Sequence, residues 1–324
     1  MTPGIAAVLP RRLRRRGSSP HRSPLIPALL AVFLAPLNAA AEPPPAAELL
    51  IRCDDVGMCH GVNQGVRKLI ATGIPFSASV MIACPWYLEA AEILRRNPQV
   101  SVGIHLTLNS EWQHYKWGPV LGASEVPTLV DENGHFHTTE ADFAAAEVDL
   151  EEVRRELTAQ IERARRAGLA VDYLDYHMLT AVSTPELRNL VEDLARRYGL
   201  GLSRYFGESS ASIWDVPPEG KLQSLLRIVG AAKPGGLQLL VMHLGLEIPE
   251  MTALIDLNNP RDPFRVASHR QAELDAITSP AFRRAISERG MKLVTYRDVI
   301  RRRGLAAMAR PEGPAGYSTG DEDP

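Results

Sequence analysis

Two adjacent carboxylates, Asp54 and Asp55, and three widely separated imidazoles, His105, His177 and His243, are the residues whose types and positions can do chemistry together. One carboxylate and two imidazoles make a natural ligand set for Zn²⁺ or another divalent cation, leaving coordination positions open for water and substrate. The adjacent carboxylates cannot simply share that task, because successive side chains on a strand point to opposite sides. A kink at the strand end, helped by Gly57, is needed for both to reach one pocket. The plain alternative is that the pair caps a helix beginning near Gly61. A lone histidine at a strand end is more often structural, so the weight rests on several of them sharing one rim.

The elements that must position these groups follow a regular strand-then-helix order. Residues 49–53 read as a first strand, and Val62, Val66, Leu69 and Ile70 mark a helix that stops at Gly73. Residues 76–82 form a second strand and residues 86–96 a helix. Val100, Val102, Ile104, Leu106 and Leu108 then alternate with smaller or polar residues, which is strand periodicity and puts His105 on the polar face. After a long connection over residues 110–146, with a turn at Asn133-Gly134, a helical stripe from Leu150 ends at Gly168 and residues 171–177 form a fourth strand. Thr184, Pro185 and Gly199 bracket one later helix, and Ser279, Pro280 and Gly290 another. Further strands are expected at residues 200–205, 237–243 and 291–295. About seven β/α units in one α/β domain, residues 49–305, favour a closed or nearly closed parallel barrel. Asp54-Asp55, His105, His177 and His243 then fall at the C-terminal ends of strands one, three, four and six, the rim where barrel enzymes build their sites.

Composition narrows the partners. With 36 basic and 38 acidic residues the formal charge is -2, which gives no electrostatic reason to expect nucleic acid or an anionic membrane. Five arginines between Arg11 and Arg16, an apolar run over residues 25–37 and Ala39-Ala40-Ala41 read as a secretory signal peptide, residues 1–41, and so as a secreted or periplasmic protein. The apolar run is too short for a stable membrane span. Residues 42–48 form a proline-rich linker and residues 306–324 a loose tail. Cys53, Cys59 and Cys84 read as buried free thiols, with a Cys53–Cys59 bridge as the oxidised alternative. A homodimer is compatible with the sequence.

Three ordered motifs carry a resemblance: Ile51-Arg52-Cys53-Asp54-Asp55-Val56-Gly57-Met58 with Asn63, Val102-Gly103-Ile104-His105-Leu106-Thr107-Leu108, and Tyr173-Leu174-Asp175-Tyr176-His177-Met178. Together they resemble the YdjC-like (ChbG/HpnK) carbohydrate deacetylases over residues 49–299, with Arg270 and Glu273 near the end. The resemblance implies a variant (β/α) barrel related in architecture to polysaccharide deacetylases. It also implies removal of acetyl groups from N-acetylated sugars with a divalent cation, Mg or Zn, held by Asp55, His105 and His177, and Asp54 as catalytic base. His243 stands where the family carries a candidate general acid, but Leu244 replaces the proline usual after it. Tyr176 and Leu179 depart from the family's Asp-Ser-His-x-His pattern, so substrate preference is expected to differ.

For substrate, the insertion segment Glu111-Trp112-Gln113-His114-Tyr115-Lys116-Trp117 offers Trp112 and Trp117 as sugar-stacking rings, or else packs on itself. Arg204 at the fifth strand end is a candidate for sugar oxygens, with an ordinary ion pair as the alternative. Asp175 is a candidate to orient a ligand. His60, His114, His135, His137 and His269 show no persuasive spacing and are expected mostly on the surface or in loops. Two rival functions share these residues: a barrel metal hydrolase for another amide or an ester, and a secreted sugar-binding protein without turnover.

Overall fold

The computed structural model describes residues 45–259 and 261–311. The predicted signal peptide, the start of the linker and residues 312–324 lie outside it. Eight strands form one sheet: β1 Glu48–Val56, β2 Ser77–Val80, β3 Ser101–Leu106, β4 Val171–Tyr176, β5 Gly201–Leu202, β6 Ser209–Ser212, β7 Leu237–Met242 and β8 Lys292–Val294. Every strand pair is parallel, in the order β5-β4-β3-β2-β1-β7-β6, with β8 on the first residues of β1.

The helices are α1 His60–Ala71, α2 Tyr87–Arg95, α3 Glu140–Ala145, α4 Leu150–Arg166, α5 Pro185–Tyr198, α6 Lys221–Ala231, α7 Pro249–Thr252, α8 Val266–Thr278, α9 Pro280–Glu288 and α10 Tyr296–Arg303. Thr184 caps α5 through Leu187 N–H and Gly199 ends it at φ 65°, and Ser279 caps α9 in the same way.

The sheet path starts at β5 and ends at β6, which do not pair with each other, so of the closed and nearly closed barrels expected the second is found, open along one seam. Two local causes are visible. β5 is only two residues long because the chain turns at Arg204, whose φ is 73° and whose N–H is held by Glu208. β6, absent from the sequence-based count, is built of Ser-Ser-Ala-Ser, which carries none of the branched or aromatic signal of a strand.

Side-chain alternation along β1 sorts two cores. Leu49, Ile51 and Cys53 belong to the large outer core, whereas Leu50 joins Tyr173, Leu239, Val241, Val294 and Tyr296 in a smaller inner cluster. Gly103 makes room for Tyr173, since a Cβ there would stand 2.3 Å from the ring. Cys53, Cys59 and Cys84 are buried free thiols. The insertion folds against α4, whose Glu156 accepts N–H groups of Val120 and Leu121 and whose Glu152 accepts that of Thr128. Its turn is as expected, with Gly134 at φ 80° and Val130 bridging Phe136.

The chain from Ala306 to Pro311 is held rather than loose. Arg310 pairs with Glu192 of α5 at 2.7 Å and Ala309 N–H donates to Tyr205 O at 2.9 Å. No helix among the described residues is long and apolar enough to cross a membrane.

Candidate metal centre and active site

Arg52 and Asp54 follow Leu50 on the inward side of β1, and regular alternation would send Asp55 outward. It does not go there. The β1–β2 pairing slips between Cys53 and Val56, and Asp55 takes φ 61°, a left-handed conformation that Asp tolerates better than most residues. Gly57 continues the turn at φ 92°, with its N–H on Asn63 Oδ1 at 2.8 Å. A Cβ at Gly57 would lie 3.1 Å from Tyr87 Cα. Both carboxylates therefore reach the same cavity, as the kink argument requires.

His105 stands on β3 directly beside Asp175 of β4, and His177 follows β4 where Met178 and Leu179 turn the chain at φ 50° and 63°. Asp55 Oδ1 lies 3.4 Å from His105 Nε2 and 3.3 Å from His177 Nδ1, and those two nitrogens are 3.4 Å apart. This near-equilateral triangle of one carboxylate oxygen and two imidazole nitrogens suits a single cation. Asp55 Oδ1 is buried without a hydrogen bond of its own, as a ligand atom would be. Asp54, His105 and Asp175 could form a second grouping, but the Arg52 guanidinium binds Asp54 at 2.6 and 2.7 Å and lies 3.0 Å from Asp175, so positive charge already fills that place.

Each of these three side chains is backed by an opposite charge. Asp175 Oδ2 lies 3.1 Å behind His105 Nδ1, Glu111 Oε2 lies 2.9 Å from His177 Nε2, and Arg270 donates to Asp55 Oδ2 at 2.6 Å. Burial opposes an imidazolium at His105 and His177. The charges of Asp175 and Asp54 nonetheless raise His105 well above its ordinary value, and those of Glu111 and Asp55 raise His177 to about 9. Burial likewise opposes ionisation of Asp55, but Arg270 and the two histidines hold its carboxyl well below the usual range. His243 is different. Burial pushes its imidazole down to about 4, and the charges of Asp55 and Asp54 do not reverse this.

Asp54, Asp55, His105, His177, His243 and Trp112 line one cavity of about 400 Å³. Trp117 and Arg204 are not part of its lining. Trp117 is buried, donates to Asn109 O at 3.0 Å and sets its ring edge against His177. Arg204 ends β5 with a turn at φ 73°. Trp112 reaches the cavity wall, but its ring is covered by the Arg270 guanidinium at 5.7 Å and only 2% of the residue is exposed. That leaves little of it for a sugar face.

Residues to which the sequence reading gave no role in the site complete the walls. Trp214, just past β6, contributes a half-buried ring 5.0 Å from His243. Lys221 and Glu273 form a buried pair that fixes both, through Lys221 Nζ on Trp214 O at 3.1 Å and Glu273 Oε2 under His243 N–H at 2.6 Å. His269, one of five histidines expected mostly on the surface or in loops, is buried behind Trp214 and bonded to Asp262. Glu111→Gln is expected to weaken divalent-cation affinity by roughly 10–100-fold, the usual effect of losing the group that orients a ligating histidine. Competition with a chromophoric chelator measures it.

A family model described as "YdjC-like protein" matches residues 48–288. The chain is 26% identical over 258 residues to carbohydrate deacetylase 1 of Listeria innocua, covering 78% of this chain and 100% of that protein. It is 29% identical over 273 residues to the carbohydrate deacetylase of Geobacillus stearothermophilus, covering 77% and 96%. A crystal structure of a putative cellobiose-phosphate cleavage protein from Enterococcus faecalis superposes with a TM-score of 0.64 at 26% identity, over 78% of this chain and 99% of that one.

Proposed function

Because the chain belongs to the YdjC-like family, we propose that it is a divalent-cation-dependent hydrolase that removes acetyl groups from N-acetylated sugars or oligosaccharides. The observation that carries this reading is the Asp55, His105 and His177 triangle, with edges of 3.3–3.4 Å, at the wall of a cavity that also holds Asp54. Two imidazoles and one carboxylate suit Zn²⁺ or another first-row cation better than Mg²⁺, which prefers oxygen donors. When bound there, the cation supplies Lewis-acid polarisation of the acetamide carbonyl and a more acidic water.

Asp54 receives the proton of the attacking water. Arg52 grips both of its oxygens, which fixes the carboxylate plane and leaves each oxygen a second lone pair toward the cavity. Departure of the sugar amine requires a proton on nitrogen. His243 enters the cycle as a neutral imidazole, because burial lowers it to about 4. It acts as an acid only after taking up a proton within the cycle. The N-terminal segment over residues 11–41 supports a location outside the cytoplasm.

Metal analysis together with acetate release from N-acetylglucosamine, its oligomers and peptidoglycan-like fragments tests the reading. Acetate from esters or other amides alone would shift it to a different hydrolase, and sugar binding without acetate would leave a binding protein.

Cation loading should also be linked to pH. Since His105 and His177 are both raised, the cation-free site holds their protons at pH 7 and must release them on binding. Affinity is therefore expected to rise with pH from 7 through about 9, where His177 gives up its proton. Calorimetry at pH 7 in buffers of different ionisation enthalpy counts the released protons.

A further inference from the structure

Resting on the deacetylase reading, we propose that the cavity takes neutral and amine-bearing sugars and excludes anionic ones, with Asp215 and Asp256 setting that choice. Five carboxylates line it, Asp54, Asp55, Glu111, Asp215 and Asp256, against a single guanidinium, Arg270. Three of the five already have partners: Arg52 at Asp54, Arg270 at Asp55 and His177 at Glu111. A divalent cation between Asp55, His105 and His177 offsets part of the remaining charge. Arg270 is committed to Asp55 and sandwiched between the rings of Trp112 and Trp214. Among the described lining residues, a phosphate or carboxylate on the sugar would find no further guanidinium or ammonium along this wall.

Among the described residues, Asp215 and Asp256 are the lining carboxylates that no ion pair reaches. Asp256 is 5% exposed, its oxygens are met by the backbone N–H groups of Asn258, at 2.8 Å, and Asn259, and no ion pair reaches it among the described residues. Burial raises its carboxyl to about 6, the mark of a buried acid lacking a cation. Its segment is pinned across the cavity mouth by the Trp112–Asp256 bridge and by Gln113 N–H on Ile255 O at 3.0 Å. Asp215 follows Trp214, whose carbonyl is held by Lys221 and by His269 Nδ1 at 3.2 Å. An immobilised indole facing carboxylates and the amides of Asn258 and Asn259 is suited to a sugar face and its hydroxyls. An ammonium substituent gains a counter-charge there, and a phosphate meets like charge.

The test compares three forms of one short N-acetylglucosamine oligomer with the metal-loaded protein: fully acetylated, carrying one free amine, and carrying a phosphate ester. The neutral and amine-bearing forms should exceed the phosphorylated one in kcat/KM by roughly a hundredfold, the penalty expected of juxtaposed like charges. Asp215→Lys and Asp256→Asn should each narrow that ratio about tenfold, through the phosphorylated substrate. Equal efficiency for the three forms, or a ratio that neither variant moves, overturns the inference. Calorimetric titration of the same compounds into metal-loaded Asp54→Asn protein reads selectivity without turnover. If nothing releases acetate, the deacetylase reading fails and the binding ratio still decides. A ratio near one, or no binding of the neutral oligomer, overturns the inference by itself.

Discussion

His105→Ala is expected to yield a folded protein that has lost both its cation and its hydrolytic activity. Removing the imidazole leaves Asp55 Oδ1 and His177 Nδ1, two donors where three converge. It also strips Asp175 of the group it orients. Affinity should therefore fall by more than the roughly 10–100-fold that follows from losing only a partner behind a ligand. Activity should follow the cation down to background. Cation content after dialysis and acetate release, measured on one preparation, check this, with circular dichroism to confirm the fold. A variant that keeps stoichiometric cation would remove His105 from the ligand set.

Asp54→Asn separates base from ligand. The amide matches the carboxylate in shape but cannot take a proton from water, so kcat should drop by roughly 10²–10⁴-fold, the range for loss of a general base. Cation content should be unchanged, because Asp54 lies outside the Asp55, His105 and His177 triangle. The same substitution weakens the pair with Arg52. A melting temperature measured alongside therefore distinguishes lost chemistry from a loosened interior. Full activity in this variant would transfer the base role to another residue.

Much of this site is legible in the sequence for a simple physical reason: parallel strands end on one rim, so residues at strand ends converge however far apart they lie in the chain. His105 and His177 are found this way, and alternation also signals that Asp55 needs a kink, which appears as its positive φ. The supporting charges are harder to see. Glu111 reaches His177 across 66 residues and Arg270 reaches Asp55 across 215, and no local pattern encodes either contact. Arg270 and Glu273 sit on α8, buried on a helix where charged residues at that spacing ordinarily mark the solvent face. Trp214 is hidden for another reason, since the strand before it is four small residues with no strand signature. Trp112 and Trp117 leave both readings open in the sequence because aromatic residues serve packing as readily as sugar binding, and here both rings are buried while Trp112 also reaches the cavity.

Arg52 joins Asp54 and Asp175 and donates through Nη1 to Ser203 Oγ at 2.6 Å, while Ser203 Oγ meets Tyr296 Oη at the same distance. The charges beneath the cavity are thus also the struts of the sheet's interior. For anyone redesigning this protein, that divides the molecule into two zones. Asp215, exposed on a wall built by loops, can be changed to alter preference at small risk to folding. Changes at Arg52 or its partners trade stability against rate in one step, so laboratory evolution toward new sugars should accumulate around the mouth and leave the floor as it is.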